Sequence, residues 1–580
     1  MNAPILPATH WRLPEANERV QNSLLTELGI NPVISQILIN RNILNVSDAK
    51  RFLSPSLNDL HSPLLMKDMQ EGVDRLIKAI YGHEKVMIYG DYDADGITSV
   101  ALLVKFLREI NDDVGYYIPD RISEGYSLSR TAIDKIKSDG AHLIITVDCG
   151  ISDYDEVSYA SSLGLDVIIT DHHEVVGRIP EAVAIINPKR GDCRFPFKHL
   201  AGVGVAFNFL IALRGKLRED GFWGNKKYPN LKEYLDLVAL GTIGDVVPLI
   251  DENRIFARFG LELIAGGKRV GLRALKKVSG VENRAVDSNT ASFNLIPRIN
   301  AAGRIGSPED AVRLLLTDDM NEAVEIAWKL DACNKERQRM GKIIFKEILH
   351  MIETTTDPQK VNSFVLSSNK WHQGIIGIAA SRLVERYNRP AVLISVKDGI
   401  GKGSGRSLAG FNLINGLKRC GPMLLSCGGH QYAAGISIEE KNIKEFSGRF
   451  NKITGECLTA SDLTPQTIID AQCNLRSIDH DLISQFDMLA PFGNMNPEPV
   501  LCAKNMRVIS PAIVGNNHLR MNISGDGRSY NSIWFSKGHF AETLAESTFD
   551  IAFTPQINYW NGTSNIQLKM KDMAFTGFKG

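Results

Sequence analysis

Beyond residue 70 the chain alternates between stretches with apolar residues at helical spacing and short, unbroken apolar runs. The spacing predicts helices over residues 72–80, 98–109, 129–138 and 155–163, and strands over 85–89, 115–118, 142–147, 167–170 and 183–187. Strands that are apolar on both faces and separated by helices indicate a parallel sheet covered on both sides. Helices at 200–213 and 231–240 follow, then a charged, breaker-poor stretch over 319–351 that reads as one long helix. A second α/β region has strands at 362–367 and 391–396 and helices at 374–387 and 411–420. After residue 464 the pattern turns β-rich, with runs at 519–524, 530–535, 549–560 and 565–571 joined by Gly, Asn and Asp turns. That profile predicts a small antiparallel barrel, with the OB-fold as the leading candidate. The first 65 residues, punctuated by Pro4, Pro7, Pro14, Pro55 and Pro63, read as an irregular segment packed on the core. The predicted class is α/β: a segment over 1–65, a parallel-sheet domain over 66–318, a connecting helix over 319–352, an α/β domain over 353–460 and a barrel over 461–580.

Composition narrows this picture only a little. A chain of 580 residues exceeds what one core supports, and an apolar share of 44% excludes wholesale disorder. The most apolar stretch, 237–250, is broken by Asp245 and Pro248, well short of the ~18 residues that span a bilayer. The N-terminus lacks the basic start and apolar run of a signal peptide, so no membrane association is expected and the cytoplasm is the expected compartment. The eight cysteines form no C-x-x-C pair, which argues against zinc knuckles and redox motifs. A net charge of zero leaves a nucleic-acid partner open, since a narrow basic groove can exist on a neutral protein.

The acidic residues carry the chemistry. The run at 85–89 leads into Gly90-Asp91-Tyr92-Asp93-Ala94-Asp95-Gly96, that at 142–147 into Asp148-Cys149-Gly150, and that at 167–170 into Asp171-His172-His173. Parallel strands present their carboxyl ends along one edge, where open α/β sheets bind ligands. Asp245, in Gly244-Asp245-Val246-Val247-Pro248-Leu249, follows an apolar helix and can reach the same edge. Taken singly, each feature has a plainer reading: a D-x-D pair as a turn or helix cap, a His pair as surface, Asp148 as a cap. Together they form an acid cluster that only cations make tolerable. Oxygen ligands with one imidazole suit two Mn²⁺ or Mg²⁺ ions, and such a pair can hydrolyse a phosphoester.

In this order, Asp93-x-Asp95, Asp148, Asp171-His172-His173 and Asp245 resemble the motifs of the DHH phosphoesterase superfamily. The fuller wording at 89–96 and 244–249 looks like the RecJ single-stranded-DNA exonucleases, and residues 403–407 and 428–435 resemble the accessory DHHA1 domain. The resemblance implies that Asp93 and Asp95 hold one ion each, with Asp148 bridging and His172 and Asp245 completing the coordination. It implies that His173 meets the scissile phosphate. Tyr89 stands where many members carry a His ligand, and Asp91 is expected to compensate as a catalytic or coordinating group. Family members act 5′→3′ on single-stranded DNA, releasing 5′-mononucleotides in recombination and repair. A monomer working with a single-strand-binding protein and a helicase is the implied setting.

The runs Gly403-Ser404-Gly405-Arg406 and Gly428-Gly429-His430 read as glycine loops whose bare N–H groups could approach a phosphate, or equally as tight turns. The resemblance favours a 5′-phosphate site with Ser404, Arg406 and His430, and a DNA grip by Arg298 or Arg304. Trp534 and Tyr559 are candidate base-stacking platforms on the barrel, although Trp534 and Phe535 are adjacent and only one of them can point inward. The rival within the same chemistry is a phosphodiesterase for short oligonucleotides or cyclic dinucleotides, which has no need of a β-rich tail.

Overall fold

The computed structural model describes residues 10–121, 124–175, 177–224, 227–355, 357–544, 548–560 and 563–575; the side chains at 559, 560, 563 and 575 lie outside that description. The described residues form two compact units. One comprises Ala16–Asn334 with His480–Pro499, and the other takes the remaining N-terminal residues, Lys335–Asp479 and Val500–Gly580. Residues 1–65 and 461–580, each expected as a single piece, are therefore both divided between the units. No described helix is long and apolar enough to cross a membrane.

The described part of the N-terminal segment, residues 10–65, is regular rather than irregular. After strand β1 (His10–Arg12) come helices α1 (Glu18–Leu28), α2 (Pro32–Asn40) and α3 (Val46–Leu53). Asn17, Asn31 and Asn45 each precede a helix and accept a first-turn N–H, from Val20, Val33 and Asp48 respectively. Pro32 sits at the first turn of α2, where its missing N–H costs nothing. Of the prolines that read as breakers, Pro14, Pro55 and Pro63 stand outside helix interiors, and Pro4 and Pro7 lie outside the described residues.

The parallel sheet is as expected. After α4 (Met69–Tyr81) its strands are β2 (Val86–Gly90), β3 (Val114–Tyr117), β4 (Leu143–Val147), β5 (Asp166–Thr170) and β6 (Ala184–Ile186), all parallel in the order β3-β2-β4-β5-β6. Alternate residues feed two separate cores. Val86, Ile88, Ile145 and Ile168 pack with α4, α5 (Ala94–Leu107) and, later in the chain, α8 (Gly202–Glu219). Met87, Tyr89, Ile144 and Ile169 pack with α6 (Arg130–Ser138) and α7 (Tyr154–Ser162). Burial on both faces explains why the strands read as unbroken apolar runs. Helices α9 (Leu235–Gly244) and α10 (Asp251–Gly266) complete the larger core.

Arg254, on α10, is the largest fully buried side chain. Its guanidinium donates to the carbonyls of Phe52, Leu489 and Met488, each at 2.9 Å, and lies 3.9 Å over the Phe52 ring. One cation thus ties α3 and the His480–Pro499 excursion to the larger core. Burial pulls its pKa down to about 9, with Arg41 and Arg258 adding to the effect, so it stays charged at neutral pH.

The helix Met320–Thr355 starts in the unit that holds the parallel sheet and continues into the other. There β7 (Phe364–Ser368), β8 (Ala391–Lys397), β9 (Ile400–Arg406), β10 (Leu424–Gly429) and β11 (Ala433–Glu439) form a mixed sheet in the order β10-β11-β9-β8-β7, parallel only between β7 and β8. Strand β12 (Gln466–Ile468) pairs with β1, and Trp11 donates to Asp572 at 2.8 Å. The barrel closes through β14 (Leu501–Val514), β15 (His518–Gly525), β16 (Arg528–Trp534), β18 (Thr563–Phe575) and β17 (Thr548–Trp560), with β17 pairing back to β14 and β13 (Ala471–Gln472) added beside it. Strand β14 was not predicted because bulges after Ala503 and Ile509 shift its alternation.

Arg254→Ala leaves three core carbonyls without a donor and should destabilise the unit that holds the parallel sheet by about 3 kcal/mol or more. Urea unfolding measures this, and an unchanged midpoint would remove Arg254 from the role of anchor.

Candidate metal centre

Each acid is placed by backbone just beyond a strand or at a helix end. Asp93 caps α5: its Oδ1 accepts the N–H of Asp95 at 2.9 Å and of Gly96 at 3.3 Å. Capping, the plain reading of a D-x-D pair, is true here and leaves the rest of the carboxylate for the site. Asp95, in the first turn of α5, is buried, and its oxygens accept the N–H groups of Gly202 (2.6 Å) and Val203 (2.8 Å) at the start of α8. Asp148 leaves β4 with φ +60°, and Asp245 caps the end of α9. Asp171 turns inward. It accepts the N–H groups of Ile151, His172 and His173 and bonds His173 Nδ1 at 2.8 Å.

These placements bring the predicted ligands together. Asp91, Asp93 and Asp148 offer ligand atoms within 4.8 Å of one another; so do Asp95, His172 and Asp245, and so do Asp148, His172 and His173. His172 Nε2 lies 3.1 Å from Asp148 Oδ1, 3.5 Å from Asp245 Oδ2 and 3.8 Å from Asp95 Oδ2. Tyr89 is no part of this cluster. Its ring stacks on Tyr117 and its hydroxyl donates to the Ser127 carbonyl, on the α6/α7 side of the sheet. Asp91 instead joins the first group.

The electrostatics show what the cluster lacks. Burial, reinforced by Asp93, raises the pKa of Asp91 well above the carboxylate range and that of Asp95 to about 7. Asp148 and Asp245 are raised too, by burial and then by neighbouring acids. His172 is pushed down to about 3 by burial and by His173, which keeps it neutral, the form that ligates metal. Burial opposes charge on His173, but the Asp171 carboxylate lifts it to about 9. Asp91 Oδ1, Asp148 Oδ1 and His172 Nε2 are buried without a hydrogen-bond partner. Acid oxygens and a neutral imidazole left unsatisfied in this way fit a pair of hard divalent cations.

The second unit corrects the glycine loops. Gly403 to Arg406 lie in β9, and Gly428 and Gly429 end β10. Strand pairing with β8 and β11 takes up the backbone groups of β9. Its glycines are packing devices: a Cβ at Gly401 would sit 2.6 Å from Ile394 Cγ2, and one at Gly403 would sit 2.5 Å from Ile436 Cγ1. Ser404 and Arg406 therefore share the opposite face. Arg406 donates to Ser404 Oγ at 3.0 Å, against Gly377 in the helix Gln373–Tyr387. His430 and Arg406 both flank Ala433, the first through its N–H at 2.8 Å and the second by register. Along β9, any anion recognition falls to side chains rather than to bare backbone.

The segment around Arg298 and Arg304 is a helix, Ile296–Ile305. Arg298 pairs with Asp331 at 2.7 Å and with the Asn294 carbonyl, so its guanidinium serves the fold; Arg304 is half-buried. The same helix supports the D-x-D loop, because Asn300 accepts the Ala94 N–H at 2.7 Å and Gly303 gives room to the Tyr92 carbonyl. Trp534, expected as a stacking platform, is 3% exposed and stacks on Phe540, whereas Phe535 is 48% exposed. The Tyr559 side chain lies outside the described residues.

Sequence reading missed Gly202, Asn300 and Tyr126, and it singled out Asp171 at a strand end without giving it a role of its own. Tyr126 donates to the Asp148 carbonyl at 3.2 Å and lies 3.3 Å from His173 Nδ1. A Cβ at Gly202 would press within 2.7 Å of Asp148 Cβ. Only Asp171 carried a signal, through its place at a strand end.

Fold and cluster together define a divalent-metal phosphoesterase. Residues 85–242 match the DHH family N-terminal domain, 359–456 the DHHA1 domain and 469–572 the RecJ OB domain. The chain belongs to the RecJ single-stranded-DNA-specific exonuclease family. It is 39% identical to RecJ of Bacillus subtilis over 97% of this chain and 70% of that protein, and 35% identical to RecJ of Escherichia coli over 93% and 95%. Crystal structures of RecJ from Thermus thermophilus share the fold. The Mn²⁺ complex gives a TM-score of 0.83 at 28% identity, covering 98% of this chain and 81% of that one, and the Mg²⁺ complex gives 0.78 at 27%, covering 97% and 78%.

The raised acids set a pH signature. Each has a folded pKa above its unfolded value, so it stabilises the metal-free fold at low pH and loses that contribution as pH climbs through the folded value, about 7 for Asp95. In chelator the melting temperature should fall between pH 5 and 8, and Mn²⁺ should reverse much of the fall; a fall of equal size with Mn²⁺ present would contradict this assignment.

Proposed function

We propose that this chain degrades single-stranded DNA from its 5′ end to 5′-mononucleotides, as a metal-dependent phosphodiesterase serving recombination and repair. The observation that carries this reading is the meeting of two groups able to hold a cation, Asp91–Asp93–Asp148 and Asp95–His172–Asp245, at the contact between Asp148 and His172. Bound Mn²⁺ or Mg²⁺ ions supply charge neutralisation and activation of water at the scissile phosphate. Asp93 and Asp91, which stands in for the absent His at Tyr89, would hold one ion, Asp95, His172 and Asp245 would hold the other, and Asp148 would serve as the ligand common to both.

His173, hydrogen-bonded to Asp171, pairs with a phosphate oxygen. Asp171 thereby positions the imidazole without touching substrate. In the second unit Arg406, Ser404 and His430 receive the 5′-terminal phosphate, with the Arg406 guanidinium as the charged donor. Arg298 or Arg304 grips the strand from the helix that supports the D-x-D loop. On the barrel Phe535, rather than Trp534, presents a ring for base stacking. Such an enzyme acts in the cytoplasm, on strands that a helicase opens and a single-strand-binding protein holds. A substrate as small as a cyclic dinucleotide makes no use of the barrel.

End-labelled single strands incubated with Mn²⁺, Mg²⁺ or chelator test the reading. Activity should require metal and release 5′-mononucleotides, and label at the 5′ end should be lost first. Asp148→Ala should abolish hydrolysis while sparing strand binding, and wild-type turnover in that variant would refute the shared-ligand role. Arg406→Ala should slow digestion of 5′-phosphorylated strands about tenfold more than that of 5′-hydroxyl strands. Equal slowing of both would remove Arg406 from end recognition.

A further inference from the structure

Asp245 is the one acid of the cluster that no strand end places; it stands at the end of α9, where the chain turns into 246–250. The next residue, Val246, has φ +59° and is 66% exposed. A β-branched residue in the left-handed region is strained, and an exposed side chain makes no core contact that offsets the strain. Something else must hold this turn.

What holds it comes from the His480–Pro499 excursion. Asn494 Nδ2 donates to the Val246 carbonyl at 2.9 Å, and the Asn494 carbonyl accepts the Leu249 N–H at 2.9 Å. Gly493 sits against Leu249, close enough that a Cβ there would meet Leu249 Cδ1 at 2.6 Å. The 493–496 turn is itself fixed. Gly493 and Asn496 exchange backbone hydrogen bonds, and buried Asn496 donates to the carbonyls of Leu489 and Pro491. From the other side, Asn253 donates to the Pro248 carbonyl at 3.0 Å.

We infer that Asn494 is a positioning residue for the Asp95–His172–Asp245 cation site. By bonding the Val246 carbonyl it keeps Val246 left-handed, and so aims the Asp245 carboxylate at the ion. Asn494 touches neither metal nor substrate. Residues contributed from between the barrel's first strands thus set the geometry of a ligand far away in sequence. The inference rests on the two-cation reading above.

Mn²⁺ binding to the full chain, followed by electron paramagnetic resonance without substrate, tests it. Asn494→Ala should weaken one of two Mn²⁺ ions about 5-fold, leave the other unchanged and keep the melting temperature in chelator. Asparagine accepts the left-handed region far more readily than valine does, so adding Val246→Asn to Asn494→Ala should restore most of the lost affinity. Superposable isotherms for Asn494→Ala and the unsubstituted chain would overturn the inference, as would weakening that Val246→Asn leaves uncorrected. Binding of fewer than two ions by the unsubstituted chain would overturn the two-cation reading itself, and the inference with it.

Discussion

Carboxylates dislike one another's company, and this fold brings Asp91, Asp93, Asp95, Asp148 and Asp245 to one rim with little positive charge among them. In water such charges a few ångströms apart repel modestly, but behind buried backbone the repulsion and the lost hydration both grow. The chain supplies partial answers of its own. The first turns of α5 and α8 point N–H groups at Asp93 and Asp95, and His173 adds a charge beside Asp171. These answers fall short, since Asp91, Asp95, Asp148 and Asp245 all remain raised above the carboxylate range. The shortfall is the affinity of the site: cations enter because the protein leaves the charge unbalanced.

The parallel sheet makes this rim possible. Strands β2, β4 and β5 run side by side in register, so residues just beyond each end stand next to one another without any loop having to search for them. That is why the cluster was legible in the sequence. An apolar run followed by Asp, three times over, encodes both the strand and the position of the acid. Asp245 was harder, because it follows a helix, and its orientation depends on partners hundreds of residues away. Gly202 and Asn300 carried no local mark at all: their roles exist only once Asp148 and the D-x-D loop have been brought against them.

Misreadings share a cause of the same kind. The Gly-Lys-Gly-Ser-Gly-Arg run at 401–406 has the composition of a phosphate loop, yet its glycines recur with the period of a strand, and the space each leaves is filled by Ile394, Ile436 or Leu413. Glycine frees a backbone in either case; whether it does so for a ligand or for a neighbouring side chain is decided by the sheet. The N-terminal prolines misled for the converse reason. Proline breaks helices only in their interiors, and here asparagine caps had already set the starts. Trp534 and Phe535 were undecidable by pattern, because strand alternation says that one is buried but not which.

The division of the chain bears on how such a site stays in one shape. Arg254 binds three carbonyls from α3 and the excursion, and Asn494 and Gly493 brace the turn after Asp245 from the same excursion. The catalytic unit is therefore finished only after the second sheet and the first strands of the barrel region have been passed in sequence. A cluster that repels itself cannot rely on its own members for order, and local hydrogen bonds along α9 do not constrain an exposed valine against its preferred backbone. Rigid backbone from elsewhere can. Placing that support on a segment remote in sequence links the geometry of the second ion to completion of the whole chain, so a partly folded molecule has the acids but not the aim.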